Sequence, residues 1–468
     1  MKKLAVVFLA ATIIALTIMS LNSNEEKQSN IYVAINGNDE EAGTLSKPLR
    51  TLQQAALVAK AGTTVHVREG IYKEKLVIQH SGTEAKPIIF KSYQNEKVVL
   101  SGENIKSEEG DTSIITIDDK NYVTVSGFTI QDLSTNLADE TVMGIFITGA
   151  SSHILMDSNH IQRIETHSAQ GNGHGIAVYG TGSMKNIRII NNMVEDLKLG
   201  ASEALVLNGN IDRFEITGNL VRRNDNIGID LIGYEGVSLD KNADYVRNGI
   251  VNRNKVYDIS SYGNPAYGKE YSAAGIYVDG GRDIMIEENT VYHNDIGIEA
   301  ASEHKGKFAA NIEIFENVIY ENFYTGIAIG GYDEQQGGIK NSRISKNILY
   351  RNDTKGMGGG QLMLQHDIRA NKIEKNILTA GPSHIFIANY FITGENNKLN
   401  QNVFHKESER KGIWIWGDEE FTSFSAFKSV SGSDKGTMYI DPKYVDSSDY
   451  NFRLETNSPV RGIFESEE

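Results

Sequence analysis

Asp230, Asp279 and Glu299 stand in three short alternating segments, Ile227-Gly-Ile-Asp-Leu-Ile-Gly233, Ala274-Gly-Ile-Tyr-Val-Asp-Gly280 and Ile296-Gly-Ile-Glu-Ala-Ala-Ser302. If the isoleucine after each glycine points inward, Asp230, Tyr277 and Glu299 point outward side by side, and Asp279 lies two residues further along the same face. Neighbouring strands are about 4.8 Å apart, so these carboxylates fall within roughly 5–10 Å of one another. Like charges that close need a cation, a shared proton or a basic partner. Two chemistries follow. A β-elimination on a uronate needs a neutralised substrate carboxylate, a base at C5 and a proton for the leaving oxygen, roles that Tyr277, Arg247 and His304 can share. An inverting glycosidase needs a general acid and a general base about 6.5–9.5 Å apart, which any two of Asp230, Asp279 and Glu299 can supply.

The residues expected to touch a substrate come from the same face and from two insertions beside it. Tyr179 and Asn208 continue the column of Asp279 in earlier segments, Glu235 lies in the insertion 234–249, and Tyr267 and Lys269 lie in the insertion 260–273. Glu303 follows the Glu299 segment. Loops of this length on a regular scaffold build clefts, and tyrosine rings pack on sugar faces. His174 and Glu203 begin their segments and read more simply as turn residues.

What must position these side chains is a repeat. An apolar-x-x-Asn-x-apolar pattern recurs at Asn159, Asn192, Asn219, Asn254, Asn289, Asn317, Asn347, Asn376 and Asn402, with 26 to 35 residues between successive asparagines. Between them sit the alternating segments, with inward Ile176, Leu205, Ile229, Ile276, Ile298 and Ile327. A period of 2 inside segments and about 30 between them predicts an all-β solenoid, one coil per repeat and about twelve coils in all. The asparagines read as a ladder that adopts left-handed turns and bonds coil to coil. Gly175, Gly228, Gly275, Gly297 and Gly326 read as a bare floor on the outward face. Residues 51–60 predict a capping helix, with Thr51 as N-cap, Gln54 in the capping-box position and Gly62 after the last turn. Leu52, Ala55, Ala56 and Ala59 would cover the first coil.

The entry region carries Tyr32-Val-Ala, Gly37, Pro48, Thr51-Leu-Gln, Thr64-Val-His-Val, Gly70-Ile-Tyr, Ser81-Gly-Thr and Pro87-Ile, and the tail carries Asp441-Pro-Lys-Tyr-Val-Asp446. These stretches resemble secreted right-handed parallel β-helix, pectin lyase-like proteins that act on polysaccharides, including chondroitinase B-like lyases, alginate lyases and family-nine pectate lyases. The resemblance implies a right-handed parallel β-helix and a secreted polysaccharide-degrading enzyme, most readily a uronate lyase. The alternatives are an inverting hydrolase, an epimerase or a non-catalytic carbohydrate-binding solenoid. Family-nine pectate lyases pair an acidic calcium pocket with a lysine base. Asn226-Ile-Gly-Ile-Asp230 keeps the last acid of that pocket and lacks its paired acids, and Tyr277 stands where the lysine would be. Calcium-dependent cleavage by a lysine base is therefore not expected, and Ca2+ is left as one cation the acids could hold, with no other cofactor expected.

Composition excludes other classes. The 468 residues include no Cys, so disulfides and thiolate chemistry are absent, and the net charge of −15 disfavours nucleic acid as a partner. A poly- or oligosaccharide ligand and a monomer are expected. Lys2, Lys3 and the apolar run to Leu21 predict an export signal, hence an extracellular protein, or an anchor where the segment stays uncleaved. The expected organisation is a signal or anchor at 1–24, a linker at 25–30, an entry module at 31–130, ladder-bearing coils at 131–435 and a tail at 436–468.

Overall fold

Alternation and the corner asparagines together wind the chain into a parallel β-helix. A computed structural model describes residues 29–464 except 107–109, 392 and 418. The expected signal or anchor, and the linker up to residue 28, lie outside the described residues. No helix among the described residues is long and apolar enough to cross a membrane.

Each coil of the central region contributes three strands, as in Ala274–Asp279, Arg282–Glu287 and Thr290–Tyr292. Stacking the first two strands of every coil makes a 26-stranded sheet, and the third strands make one of thirteen. Pairing is parallel except where Ile413–Trp416 meets Glu419–Phe421 and in the Tyr444–Asp446/Asn451–Leu454 ribbon. The register is the expected one: Ile176, Leu205, Ile229, Ile276, Ile298 and Ile327 pair in succession, and all are fully buried.

The ladder runs unbroken. The backbone and side-chain N–H groups of Asn254 both donate to Asn289 Oδ1, at 2.9 and 3.0 Å, and its Nδ2 also donates to the Ile216 carbonyl. The same bonds join Asn219 to Asn254 and Asn289 to Asn317. One expectation is corrected here. The left-handed residue is the one before each asparagine, among them Asn191, Arg253, Glu288 and Lys346, at φ of 53–56°. A left-handed residue turns the chain, and the asparagine after it then lies buried where its amide can bridge coils. A second ladder, through Asn294, Asn322, Asn352 and Gln361, lines the corner before the alternating strands.

That second ladder also corrects the reading of the glycines. A Cβ on Gly297 would lie 2.7 Å from Ile319 Cγ2 and 2.9 Å from Asn322 Nδ2, and one on Gly326 would lie 2.7 Å from Asn352 Nδ2. The glycines therefore face the interior, where only a hydrogen fits under the ladder. The bend shifts the alternation, so the residue before each glycine turns to the outer face. The capping helix is Leu52–Val58, with Leu52, Ala55 and Ala56 buried as expected. Thr51 Oγ1 accepts the Gln54 amide, while Asp39 takes the Thr51 N–H that a capping box would assign to Gln54. At the other end the helix Phe424–Ser431 lays Phe427 on Trp414, with ring centroids 5.4 Å apart.

Candidate functional site

The outward column reads Ala177, Val206, Asp230, Tyr277, Glu299, Ala328, register partner by register partner. It is not bare surface: Asp230 is 2% exposed, Asp279 3%, Tyr277 5% and Glu299 8%. The two insertions flank this face and wall it as a groove. In 234–249, Asp244 accepts the amides of Gly236 and Ser238, which holds the loop in a compact turn. In 260–273, buried Asn264 donates to the carbonyls of Gly200 and Asp225, fastening that loop across two lower coils.

Burial without basic partners sets the electrostatics. Desolvation, and then Glu203 and Asp279, push the Asp230 carboxyl far up. Burial and then Glu303 raise Asp279, and the same two causes push Glu299 to about 8. The Tyr277 phenol is driven up by burial and by Asp279 and Glu299. Glu203 is pushed to about 8 by burial and by Glu303. At neutral pH, Glu203 and Glu299 are therefore carboxylic acids able to donate a proton.

One point of the groove is built from oxygen donors. Glu235, Asp279 and Glu303 bring one carboxylate oxygen each within 4.8 Å of one another. Asp279 Oδ1 accepts the Glu303 amide at 2.6 Å, and Glu235 Oε1 pairs with His304 Nε2 at 3.0 Å. His304 thus joins the rim through Glu235. Tyr267 is half-buried, its hydroxyl bonded to Asn226, with Glu203, Glu303 and Asp230 nearby. Lys269 is exposed, and no polar contact among the described residues ties it to the acids.

Arg247 is not brought to this point. Its Nη2 donates to Asn210 Oδ1 at 2.9 Å and its Nη1 to the Tyr245 carbonyl at 3.1 Å, with Asp212 4.0 Å from Nε. It starts the second strand of its coil, beyond the bend from the acidic face, and Asp212 on the paired strand holds it there. His174 and Glu203, read from sequence as turn residues, lie on the same outer face. His174 is 1% exposed, donates from Nδ1 to the Glu203 carbonyl at 2.9 Å, and lies 3.0 Å through Nε2 from the Tyr179 hydroxyl. The signal was their place just before the small inward residue of the bend, Gly175 and Ala204, where a side chain turns outward.

Fold and site together define a parallel β-helix with a buried acidic groove over its central coils. Comparison places it further: residues 31–264 match the model of the Pel9A-like right-handed β-helix region, and residues 274–425 match that of the right-handed β-helix region. The chain belongs to the Pel9A-like, pectin lyase-like right-handed β-helix family. It is 56% identical over 458 residues to the uncharacterized protein YwoF of Bacillus subtilis, covering 98% of this chain and 97% of that protein. It is 32% identical over 105 residues to pectate lyase PEL9 of Emericella nidulans, covering 20% of this chain and 26% of that protein. The crystal structure of the GH136 lacto-N-biosidase from Eubacterium ramulus superposes with a TM-score of 0.51 at 13% identity, over 93% of this chain and 70% of that one. That likeness is one of fold.

Proposed function

We propose that this protein is an exported enzyme that cleaves a uronate-containing polysaccharide by β-elimination in the acidic groove. The observation that carries the reading is the convergence of Glu235, Asp279 and Glu303 beside a row of buried carboxyls. The local similarity to a pectate lyase and the Pel9A-like family support the same substrate class.

A Ca2+ ion would suit this donor set, which is not the family's acidic pocket, since hard cations take carboxylate oxygens and the three come from two loops and one strand end. A cation held there would neutralise the carboxylate of a uronate. The chain's own residues then divide the remaining work. Burial, then Glu303, raises Glu299 to about 8, so it faces a substrate as a neutral hydrogen-bond donor, and Tyr277 packs beside it as a second neutral donor.

A second reading, hydrolysis of a glycosidic bond, is favoured by one observation. The protonated Glu299 and the part-exposed Glu235 form an acid and a base on one groove. Incubation with polygalacturonate, alginate, hyaluronan and xylan separates the two. An ultraviolet-absorbing unsaturated product supports elimination, and reducing ends without it overturn elimination in favour of hydrolysis. Absence of either product on all four overturns both readings for these polymers.

A further inference from the structure

We infer that His174, Tyr179, Glu203 and Asn208, a two-by-two set on adjacent coils, form the proton-transfer centre of the reaction, with Tyr179 as base, His174 as its positioning partner and Glu203 as acid. The inference rests on the elimination reading and supplies what the acidic row lacks, a base. Tyr179 pairs in register with Asn208, and the strand Ile176–Tyr179 pairs with Leu205–Asn208, which sets His174 beside Glu203.

The hydrogen bonds fix the direction of the relay. His174 Nδ1 lies 2.9 Å from the Glu203 carbonyl, which can only accept, so Nδ1 carries the ring proton. Nε2 is then an acceptor, and the Tyr179 hydroxyl, 3.0 Å away, donates to it. The phenolic oxygen keeps its lone pairs for the groove. Burial holds His174 neutral, with its pKa lowered to about 4. Such an imidazole does not rest as a cation, yet it can take a proton when an acid beside it ionises in the same step. Phe146 braces the Tyr179 ring edge-on at 5.7 Å.

Asn208 gives an independent sign of a missing ligand. It is 7% exposed, and its Oδ1 is buried with no hydrogen-bond partner. A buried amide left unpaired costs about 1–3 kcal/mol, so its persistence on the groove face points to a polar group that arrives with the substrate. A uronate offers both a carboxylate for the amide N–H and hydroxyls for Oδ1.

The step balances. Tyr179 Oη takes the C5 proton as its own proton passes to His174 Nε2. The C5–H electron pair becomes the C4=C5 double bond, the C4–O bond breaks, and the departing oxygen takes the carboxyl proton of Glu203. An imidazolium and a carboxylate remain, with Nδ1 and Oε2 3.7 Å apart, so the charges created in the step lie against each other.

The test uses full-length protein on polygalacturonate or alginate, whichever yields unsaturated product. Tyr179→Phe should lower kcat by about 100-fold or more while KM stays within threefold, as expected when a positioned acid–base group is lost. His174→Gln still accepts the Tyr179 hydrogen bond but cannot take the proton, so it should lose kcat to the same degree. Retained kcat in His174→Gln would make the histidine merely structural and overturn the relay. Continued formation of unsaturated product by Tyr179→Phe at more than a third of the parental kcat would overturn the base assignment and leave the elimination reading intact. Reducing ends without unsaturation from the parental protein would overturn both. Unaltered circular dichroism of Tyr179→Phe guards against misfolding, since that change keeps the ring and its packing.

Discussion

Asp279 and Glu303 are joined by a 2.6 Å hydrogen bond in which the Glu303 amide donates to Asp279 Oδ1, so two carboxylates from successive coils are held together by backbone. The strand ending at Asp279 and the turn after Ala301 cannot separate without breaking it. The polypeptide thus enforces a crowding of acids that their charges oppose. Neither side chain is matched by Lys or Arg among the ion pairs of the described residues. A structure that pays this electrostatic cost places it where a proton or cation is used.

The first prediction concerns pH and stability. Glu299 is raised to about 8 in the folded protein from 4.5 unfolded, chiefly by burial and then by Glu303, with Asp279 and Tyr277 also facing it. The folded state therefore holds a proton that the unfolded chain releases. Its stabilising contribution is complete below about pH 4.5 and is lost as pH rises toward 8. Melting temperatures of Glu299→Gln should fall less between pH 5 and 8 than those of the parent; parallel curves would refute the assignment.

Cation binding is the second. Calcium at millimolar concentration should raise the melting temperature by linkage. Glu303→Gln should remove most of that rise, because one of three converging oxygens loses its charge. An equal shift in the variant would place any bound calcium elsewhere.

The third addresses the ladder. Asn254→Ala deprives the Asn219 amide, the Ile216 carbonyl and Asn289 of buried partners. It should cost about 2–4 kcal/mol, read from the shift in urea midpoint with unchanged slope. A loss below about 0.5 kcal/mol would show that water replaces the amide.

The fourth uses Arg247, whose guanidinium is committed to Asn210 and Tyr245. Arg247→Ala should leave KM for an acidic polymer within about threefold, whereas a residue clamping the substrate carboxylate would raise it by tenfold or more. A large KM effect would mean that the loop 234–249 rearranges on binding.

The coil repeat, inward isoleucines, outward column and helix at 52–58 were legible because they rest on local rules: alternation, recurring spacing and a Thr N-cap. The clustering of Asp230, Tyr277, Asp279 and Glu299 followed from the same register. What tertiary structure alone decided is direction and depth. Glycines at the strand start turned out to face the second ladder, because a bend at each glycine reverses the alternation that a straight strand would keep. The same bend, at Gly175 and at Ala204, carried His174 and Glu203 to the outer face, and the fastening of two insertions accompanies the burial of the acids. Loops fold against coils far away in sequence, so their path and the desolvation they impose are properties of packing that no local pattern encodes.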